Sequence, residues 1–547
     1  MDKIKNFAKN IQGRTNGTVN LRILTILSLL ILFLVVVYTG NYATKIQLNN
    51  GDQFVSAAIF GDIDQGTPMV ASGHTNVIKA PVLWLQDQLP QTFSLYAFIN
   101  IAFILLSILL WTFLCGRVFG KKYIPILLLG FSAVLINSPA LAVDLAMSTI
   151  RHIEYPLAFI FLLGLKSSID ALGRRKLVYS ITSSLLLGVL LVNDKFFLYT
   201  LVPAAIVGSL LYIKKINIRS VLIHLAPIFI GILSSVIIIK LLNTTGLIYI
   251  TSGYAEANHI IKLESLIESL TLTTSQTLNM FGGLIFGQEI RKNNISIAMG
   301  FIVCIVSFVG IYLAFKKRAG QSYHPIHLYL ALLALFTYCS YIAPNFVSAN
   351  NTRYLSGVVY IGLTFFTYAI LHWNKKWKYT YVIVCVFLIS LIILSFPRTN
   401  NFYTNSLHPI ERDNLRTKLT VNSLEGEKIN TVVTAGGHYS LWFYSNATLT
   451  VVQLQETCNT PSPWANNSSW LKPENKQRSA FLVDQSYPEK AGRTCGIREV
   501  EKIYGNAEKI IPLPKPGETD TSATSYLLIY DYDIRSKFNT ALIPTLR

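Results

Sequence analysis

Among the ionisable groups of the polar stretch between the first two apolar runs of membrane length, three carboxylates and a lysine stand out. Asp52 follows Asn50-Gly51, Asp62 and Asp64 flank Ile63, and Lys79 stands in His74-Thr75-Asn76-Val77-Ile78-Lys79-Ala80-Pro81-Val82-Leu83-Trp84. Ionisable groups beside a bilayer are costly and carry a function or a pairing need. A carboxylate held at the bilayer edge is partly desolvated, which raises its pKa and suits it to proton abstraction. Asp52 is the first candidate for that work and Asp62 the second. A lysine just before Ala80-Pro81, entering Val82–Leu85, can reach from the loop to the depth of a lipid phosphate. Plainer roles stand beside these. Gly51-Asp52 ahead of Phe54–Phe60 reads as a helix start with Asp52 as its cap. Asp62-Ile63-Asp64-Gln65-Gly66 reads as a solvated turn, and Lys79 as an ordinary snorkelling lysine.

Further polar groups fall at the same side of later apolar runs. Arg151, His152 and Glu154 lie at the outer end of the fourth run, Asp194-Lys195 sit in a short hairpin, and Arg353-Tyr354 open the tenth run. Converging cations and carboxylates of this kind can line a cavity for a sugar phosphate, as can His74. Taken singly, each is equally served by a local ion pair or a headgroup contact. Tyr254, Glu256, Asn258 and His259 add groups suited to sugar stacking.

The elements that must position these groups are membrane helices. The chain has 547 residues, is 52% hydrophobic and only 14% charged, and has a mean hydropathy of +0.44. Apolar runs of bilayer-spanning length recur about eleven times. They lie near Leu21–Tyr38, Leu95–Cys115, Ile124–Val143, Ile150–Ser168, Leu177–Leu191, Phe196–Ile213, Val221–Leu242, Ile295–Phe315, Ile326–Ala343, Tyr354–Trp373 and Tyr379–Phe396. The fold class is therefore an α-helical polytopic membrane protein. The net charge of +19 comes from basic clusters such as Arg174/Arg175/Lys176 and Lys316/Lys317/Arg318, which fall on alternate loops. That is the positive-inside pattern, so the basicity is topological and nucleic acid is not an expected partner. It sets the N-terminus in the cytoplasm and, with an odd number of spans, leaves everything after Phe396 outside; the first run lacks a small-residue cleavage site and reads as an uncleaved span rather than a signal peptide.

Three external segments are large: roughly 40–94, 243–294 and the tail 397–547. The expected division is a bundle over 1–396 and an extracytoplasmic C-terminal α/β domain over 397–547, long enough to bury its own core. Strand-like runs in the tail are Asn430–Thr434, Ser440–Tyr444, Ala447–Leu454, Ala480–Val483 and Tyr526–Tyr530. Ile511–Gly517 reads as a stiff connector and Ala435-Gly436-Gly437 as a turn. In the second segment, Leu263–Leu270 and Thr273–Phe286 have the spacing of short helices on a membrane surface. Cys458 and Cys495 share the tail and are expected to pair as a disulfide, while Cys115, Cys304, Cys339 and Cys385 lie in or at the ends of spans as packing residues. No cysteine and histidine spacing signals zinc.

The first loop resembles that of the GT-C class of polytopic glycosyltransferases, which take sugars from polyprenyl phosphates. The class includes lipid A aminoarabinose transferases, protein O-mannosyltransferases and O-antigen glucosyltransferases. Asp52 matches the acid that follows the first span in that class. Lys79-Ala80-Pro81-Val82-Leu83-Trp84 is similar to the Lys-Pro-Pro-Leu-x-Tyr-Trp segment of the aminoarabinose branch, and Asn351-Thr352-Arg353-Tyr354-Leu355 to a late Arg-Tyr segment. Gln53 stands where many members carry a second acid, and Ala80 replaces one proline. No Trp-Trp-Asp-Tyr-Gly segment is present, so the resemblance does not extend to oligosaccharyltransferases. It implies a GT-C-like bundle in a bacterial inner membrane, with the tail in the periplasm. It also implies an enzyme of the EC 2.4 class, moving a monosaccharide from a polyprenyl-phosphate-sugar such as an undecaprenyl-phosphate one. The acceptor would be a cell-envelope glycan or lipid, such as O-antigen in lipopolysaccharide. By the same resemblance Asp52 is the base, and Lys79 and Arg353 bind the donor phosphate. No cofactor is obligatory, because phosphate is already the leaving group; a divalent metal is compatible, and some members use one. Two other classes compete: a polysaccharide polymerase or ligase, and a glycolipid transporter or flippase.

Overall fold

The computed structural model describes residues 17–47, 52–71, 75–146, 152–212, 218–251, 262–285, 294–316, 325–343, 349–373, 380–435, 438–455, 458–462, 466–474, 477–484, 495–513 and 525–539. Each of the eleven expected apolar runs carries a helix. They are α1 (Gly17–Gln47), α4 (Phe93–Phe119), the pair α5 (Tyr123–Asn137) and α6 (Pro139–Leu145), α7 (Glu154–Asp170), α8 (Gly173–Asn193), α9 (Phe196–Tyr212), α10 (Ile218–Thr245), α12 (Ile295–Lys316), α13 (Pro325–Ile342), α14 (Ser356–Trp373) and α15 (Thr380–Gly426). Eight of these are long and apolar enough to cross a membrane, or nine if the α5–α6 pair counts as one span. α7 and α9, at 17 residues each, sit at the lower limit of bilayer-spanning length. The chain is a multi-pass membrane protein. α4 shows why its sequence makes such a helix. Phe98, Leu106, Leu109 and Phe113 are exposed on one face, and Phe103, Ile104, Ser107, Ile108 and Trp111 are buried on the other. A helix apolar all round must offer one face to hydrocarbon and the other to its neighbours.

The expected run Ile124–Val143 is not one helix. The chain bends by 103° between α5 and α6, at Ser138-Pro139, because Pro139 cannot continue the ladder. The carbonyls freed there find partners. Asn137 O accepts from Arg398 Nη2 at 2.7 Å, and Ile136 O accepts from Thr399 Oγ1. Asn137 Nδ2 in turn donates to Phe281 O, Gly282 O and Ser296 O. Backbone broken at membrane depth is tolerated only when satisfied in this way.

The last membrane helix does not stop at Phe396. α15 runs 47 residues to Gly426, about 70 Å at 1.5 Å per residue, and so carries the chain well clear of a ~30 Å hydrocarbon layer. Beyond it lies a five-stranded sheet in the order β4-β3-β6-β8-β7. Its strands are β3 (Thr431–Thr434), β4 (Thr450–Gln453), β6 (Ser479–Asp484), β7 (Lys509–Leu513) and β8 (Ser525–Tyr530). β3 runs parallel to β4 and β6, whereas β8 is antiparallel to β6 and β7. Two segments differ from their sequence expectation. Ser440–Tyr444 is a short helix, α16, because it forms the crossover between the parallel strands β3 and β4. Ile511-Pro512-Leu513 is the end of β7 rather than a connector. Pro512 is accommodated because β7 is an edge strand. Cys458 and Cys495 are disulfide-bonded, with Cα atoms 5.5 Å apart. Gly436 and Gly437 lie outside the described residues.

The loops and the tail are built into each other. The first loop contributes α2 (Asp52–Gly61), β1 (Pro68–Ala71) and α3 (Ala80–Asp87), and the second contributes β2 (Tyr249–Thr251) and α11 (Leu266–Met280). α11, with a 3₁₀ turn at Leu263–Ser265 before it, replaces the two separate helices expected there. Strand β5 (Asn466–Asn467) of the tail pairs antiparallel with β1, and β1 pairs parallel with β2, so all three segments share one sheet. Phe54, Phe60, Met69 and Ile250 are buried in the same apolar cluster as Val432, Phe481 and Leu528 of the tail.

Candidate functional site

Lys79 is held by a tight turn. Its amide donates to Asn76 O at 2.9 Å, Asn76 takes the left-handed conformation (φ 54°), and Lys79 caps α3 with Pro81 in its first turn. This geometry drives the side chain inward. Lys79 is 1% exposed, and its Nζ lies 3.6 Å from Oε1 of Glu154, also 1% exposed. It is therefore not a snorkelling lysine. Nζ also stands 5.9 Å from the centre of the Phe103 ring. Glu154 is fixed from behind by Asn193, whose Nδ2 donates to Oε1 at 3.0 Å. Asn193 Oδ1 accepts from the amide of Ile78 at 3.0 Å, so one amide side chain holds both partners of the pair. The other oxygen, Glu154 Oε2, is buried without a hydrogen bond among the described residues.

His152 flanks this pair. Its ring stacks on Phe103 at 5.8 Å, its Nε2 meets Leu145 O, and its carbonyl accepts from Ser107 Oγ, which in turn meets Tyr360 OH at 2.8 Å. Leu145 ends α6, which brings Asp144 into the neighbourhood. Thr352 Oγ1 donates to Asp144 Oδ2 at 2.6 Å, and the charge of Arg353 acts on the same carboxylate. Arg353 Cζ lies 5.6 Å from the Tyr354 ring, and that ring lies 5.5 Å from Phe196. Phe197 meets Tyr155, and Tyr155 sits against Gly357, where a Cβ would fall 2.2 Å from its ring. Lys79, His152 and Glu154 thus form one cluster, and Arg353 and Tyr354 a second, joined through the neighbouring Leu145 and Asp144.

The other candidates fall out differently. Asp194 is buried, and its Oδ1 caps α9 by accepting from Phe196 N at 2.8 Å, with Lys195 half-buried beside it. Asp62 accepts from Trp470 Nε1 of the tail, and burial pushes its carboxyl above the usual range. Asp64 accepts from Trp84 Nε1 at 3.3 Å. Asp52 is the first residue of α2, so a helix begins where the sequence suggests one. His74, Arg151, Tyr254, Glu256, Asn258 and His259 lie outside the described residues. Asn193 and Phe103 escaped the sequence reading because a neutral amide and a ring in an apolar run give no charge signal. Asp144 did give one, as a lone acid in an apolar stretch. No group of three or more His, Cys, Asp or Glu able to hold a metal ion occurs among the described residues.

No family model matches this sequence, and no curated protein matches it. The structure of ArnT from Cupriavidus metallidurans bound to undecaprenyl phosphate superposes with a TM-score of 0.54 at 12% identity, covering 94% of this chain and 98% of that one. The chain has the GT-C fold. The apo state of ArnT from the same organism aligns at TM-score 0.49 and 10% identity. The Archaeoglobus fulgidus oligosaccharyltransferase complexed with Zn and sulfate aligns at 0.43 and 12%, covering 76% of this chain and 62% of that one. With both chains covered almost end to end, the GT-C fold here includes the tail as well as the bundle.

Proposed function

We propose that the chain is a glycosyltransferase that moves a monosaccharide from a polyprenyl-phosphate-sugar to a cell-envelope acceptor at the outer face of a bacterial inner membrane. The observation that carries this reading is the buried Lys79, poised over Glu154 in a GT-C bundle. An ammonium kept from water at the edge of a bilayer is a ready ligand for a lipid phosphate, whose charge would replace lost hydration. Arg353 supplies a second cation and, being planar, can engage two phosphate oxygens at once. In this reading the donor phosphate lies between Lys79 and Arg353, which stabilise the charge that develops on it as the glycosidic bond breaks. Asp52 takes the proton of the acceptor hydroxyl as its oxygen attacks the anomeric carbon, a role typically worth 10²–10⁴-fold. The resemblance of the first loop, and a structural neighbour bound to undecaprenyl phosphate, support the lipid class of the donor.

The test offers the purified protein two donors: undecaprenyl phosphate carrying one sugar, and undecaprenyl diphosphate carrying a glycan. Transfer from the first alone is expected. Transfer from the second alone would make the chain a polymerase or ligase, and movement of either lipid across the bilayer without transfer would make it a flippase.

A further inference from the structure

The loop that carries Asp52 and Lys79 is held at its two ends by different parts of the molecule. The Lys79 end belongs to the bundle. Thr75 donates from N and Oγ1 to the carbonyls of Asn193 and Val192 at 3.0 and 2.9 Å, and Asn193 Oδ1 receives Ile78 N. The Asp52 end belongs to the tail. Helix α2 begins at Asp52, and its far end is gripped by one buried amide. Asn467 Nδ2 reaches Ile59 O, Asp62 O and Gly66 O at 3.3, 2.9 and 3.2 Å. The same amide cannot turn over, because its Oδ1 accepts from Ser469 N at 3.0 Å. Trp470 Nε1 donates to Asp62 Oδ2, and Phe443 stacks on Phe54 at 4.9 Å. Trp470 is itself fixed, since its carbonyl accepts from Arg535 Nη1 at 2.9 Å. Asn467 is fully buried and Trp470 nearly so.

We propose that Asn467 and Trp470 are positioning residues that set where the Asp52 end of the loop sits, and hence the rate of the chemical step. Asn193 does the same for the Lys79 end, and hence for donor affinity. The tail is then a brace on the catalytic loop. The proposal rests on Asp52 as the base and Lys79 as a phosphate ligand. A ten-residue helix is stiff, so a tilt at Asn467 is passed to Asp52 at its other end. A misplacement of about 1 Å at a reacting group can lower a rate by about 10²-fold. The two ends touch each other through Trp84 and Asp64, but their buried anchors, Asn467 and Asn193, are different, so kinetics and binding should separate.

The experiment compares the full-length wild type with Asn467→Ala, Trp470→Phe and Asn193→Ala in lipid nanodiscs. Three quantities are read: the transfer rate at saturating undecaprenyl-phosphate glucose, N-acetylglucosamine or aminoarabinose, the Kd for undecaprenyl phosphate alone, and amide exchange over residues 52–61 and 75–87. Asn467→Ala should lower the rate about 100-fold and Trp470→Phe about tenfold. Both should leave the Kd within about twofold and loosen 52–61 but not 75–87. Asn193→Ala should raise the Kd about tenfold or more and loosen 75–87 instead. Unchanged exchange over 52–61 in Asn467→Ala overturns the brace. So does a joint loss of binding and rate in both tail variants, which would mean that the loop moves as one body. If the wild type transfers no sugar from any donor, the proposed activity fails, while exchange and binding still decide the brace.

Discussion

Burying Lys79 takes an ammonium out of water, and Glu154 with Asn193 is what makes that tolerable. Removing one partner of a buried pair leaves the other charge uncompensated, at a cost of about 3–5 kcal/mol, whereas an apolar replacement of both is often neutral. Lys79→Met should therefore lower the melting temperature strongly, and Lys79→Met with Glu154→Leu should restore it. Neither variant should bind undecaprenyl phosphate, so calorimetric melting and lipid binding will part company in the double variant. Asp62 makes a second prediction, through pH. Burial holds its carboxyl above the ordinary range, so the folded state binds its proton more tightly than the unfolded chain. Stability from this group is greatest below the unfolded pKa of about 3.9 and falls as pH rises toward the folded value. Asp62→Asn escapes that loss, so its melting temperature relative to wild type should rise from pH 4 to pH 7. A difference that stays flat or falls contradicts the assignment. At this scale the sequence points well to charges. Asp52, Lys79, Glu154 and Arg353 stand out because ionisable groups are rare in an apolar chain. Asn193, which organises two of them, carries no such mark.

The helices are readable from length and hydropathy, because a bilayer enforces both. What hydropathy averages away is the break inside a run. Ile124–Val143 is apolar throughout, and only Pro139 hints that it folds back on itself. The break depends on partners far along the chain, with Arg398 bonded to Asn137 O across 261 positions. Arg398→Leu leaves that carbonyl buried and unpaired, and should destabilise the bundle by about 1–3 kcal/mol in a denaturation titration. The Ser440–Tyr444 helix was hidden for a related reason. Its aromatic residues suit a strand, and only the parallel pairing of β3 with β4 requires a crossover there. The joint between loop and tail is equally non-local, with Thr67 N bonded to Ser468 Oγ across 401 positions. Alternating residues announce a strand but not its partner.

On the scale of the whole molecule, three segments far apart in sequence meet in one small sheet, β2-β1-β5. The tail is itself tied by the Cys458–Cys495 bridge, which spans 37 positions. A loop of that length gains about 4 kcal/mol from cross-linking by chain entropy. Cys458→Ser should therefore lower the tail's thermal stability and, if the tail braces the loop, the transfer rate with it. A stable tail in the reduced protein would contradict the first expectation. The likeness covers both chains almost fully at only 12% identity, so it is one of fold rather than of sequence. The most direct test of the account is transfer of a labelled sugar from undecaprenyl phosphate, measured in proteoliposomes for wild type, Asp52→Asn and Asp62→Asn. Wild type should transfer the sugar, Asp52→Asn should be slower by about 10²–10⁴-fold with undecaprenyl phosphate still bound, and Asp62→Asn should be nearly unchanged. Full transfer by Asp52→Asn, or its loss in Asp62→Asn alone, would contradict it.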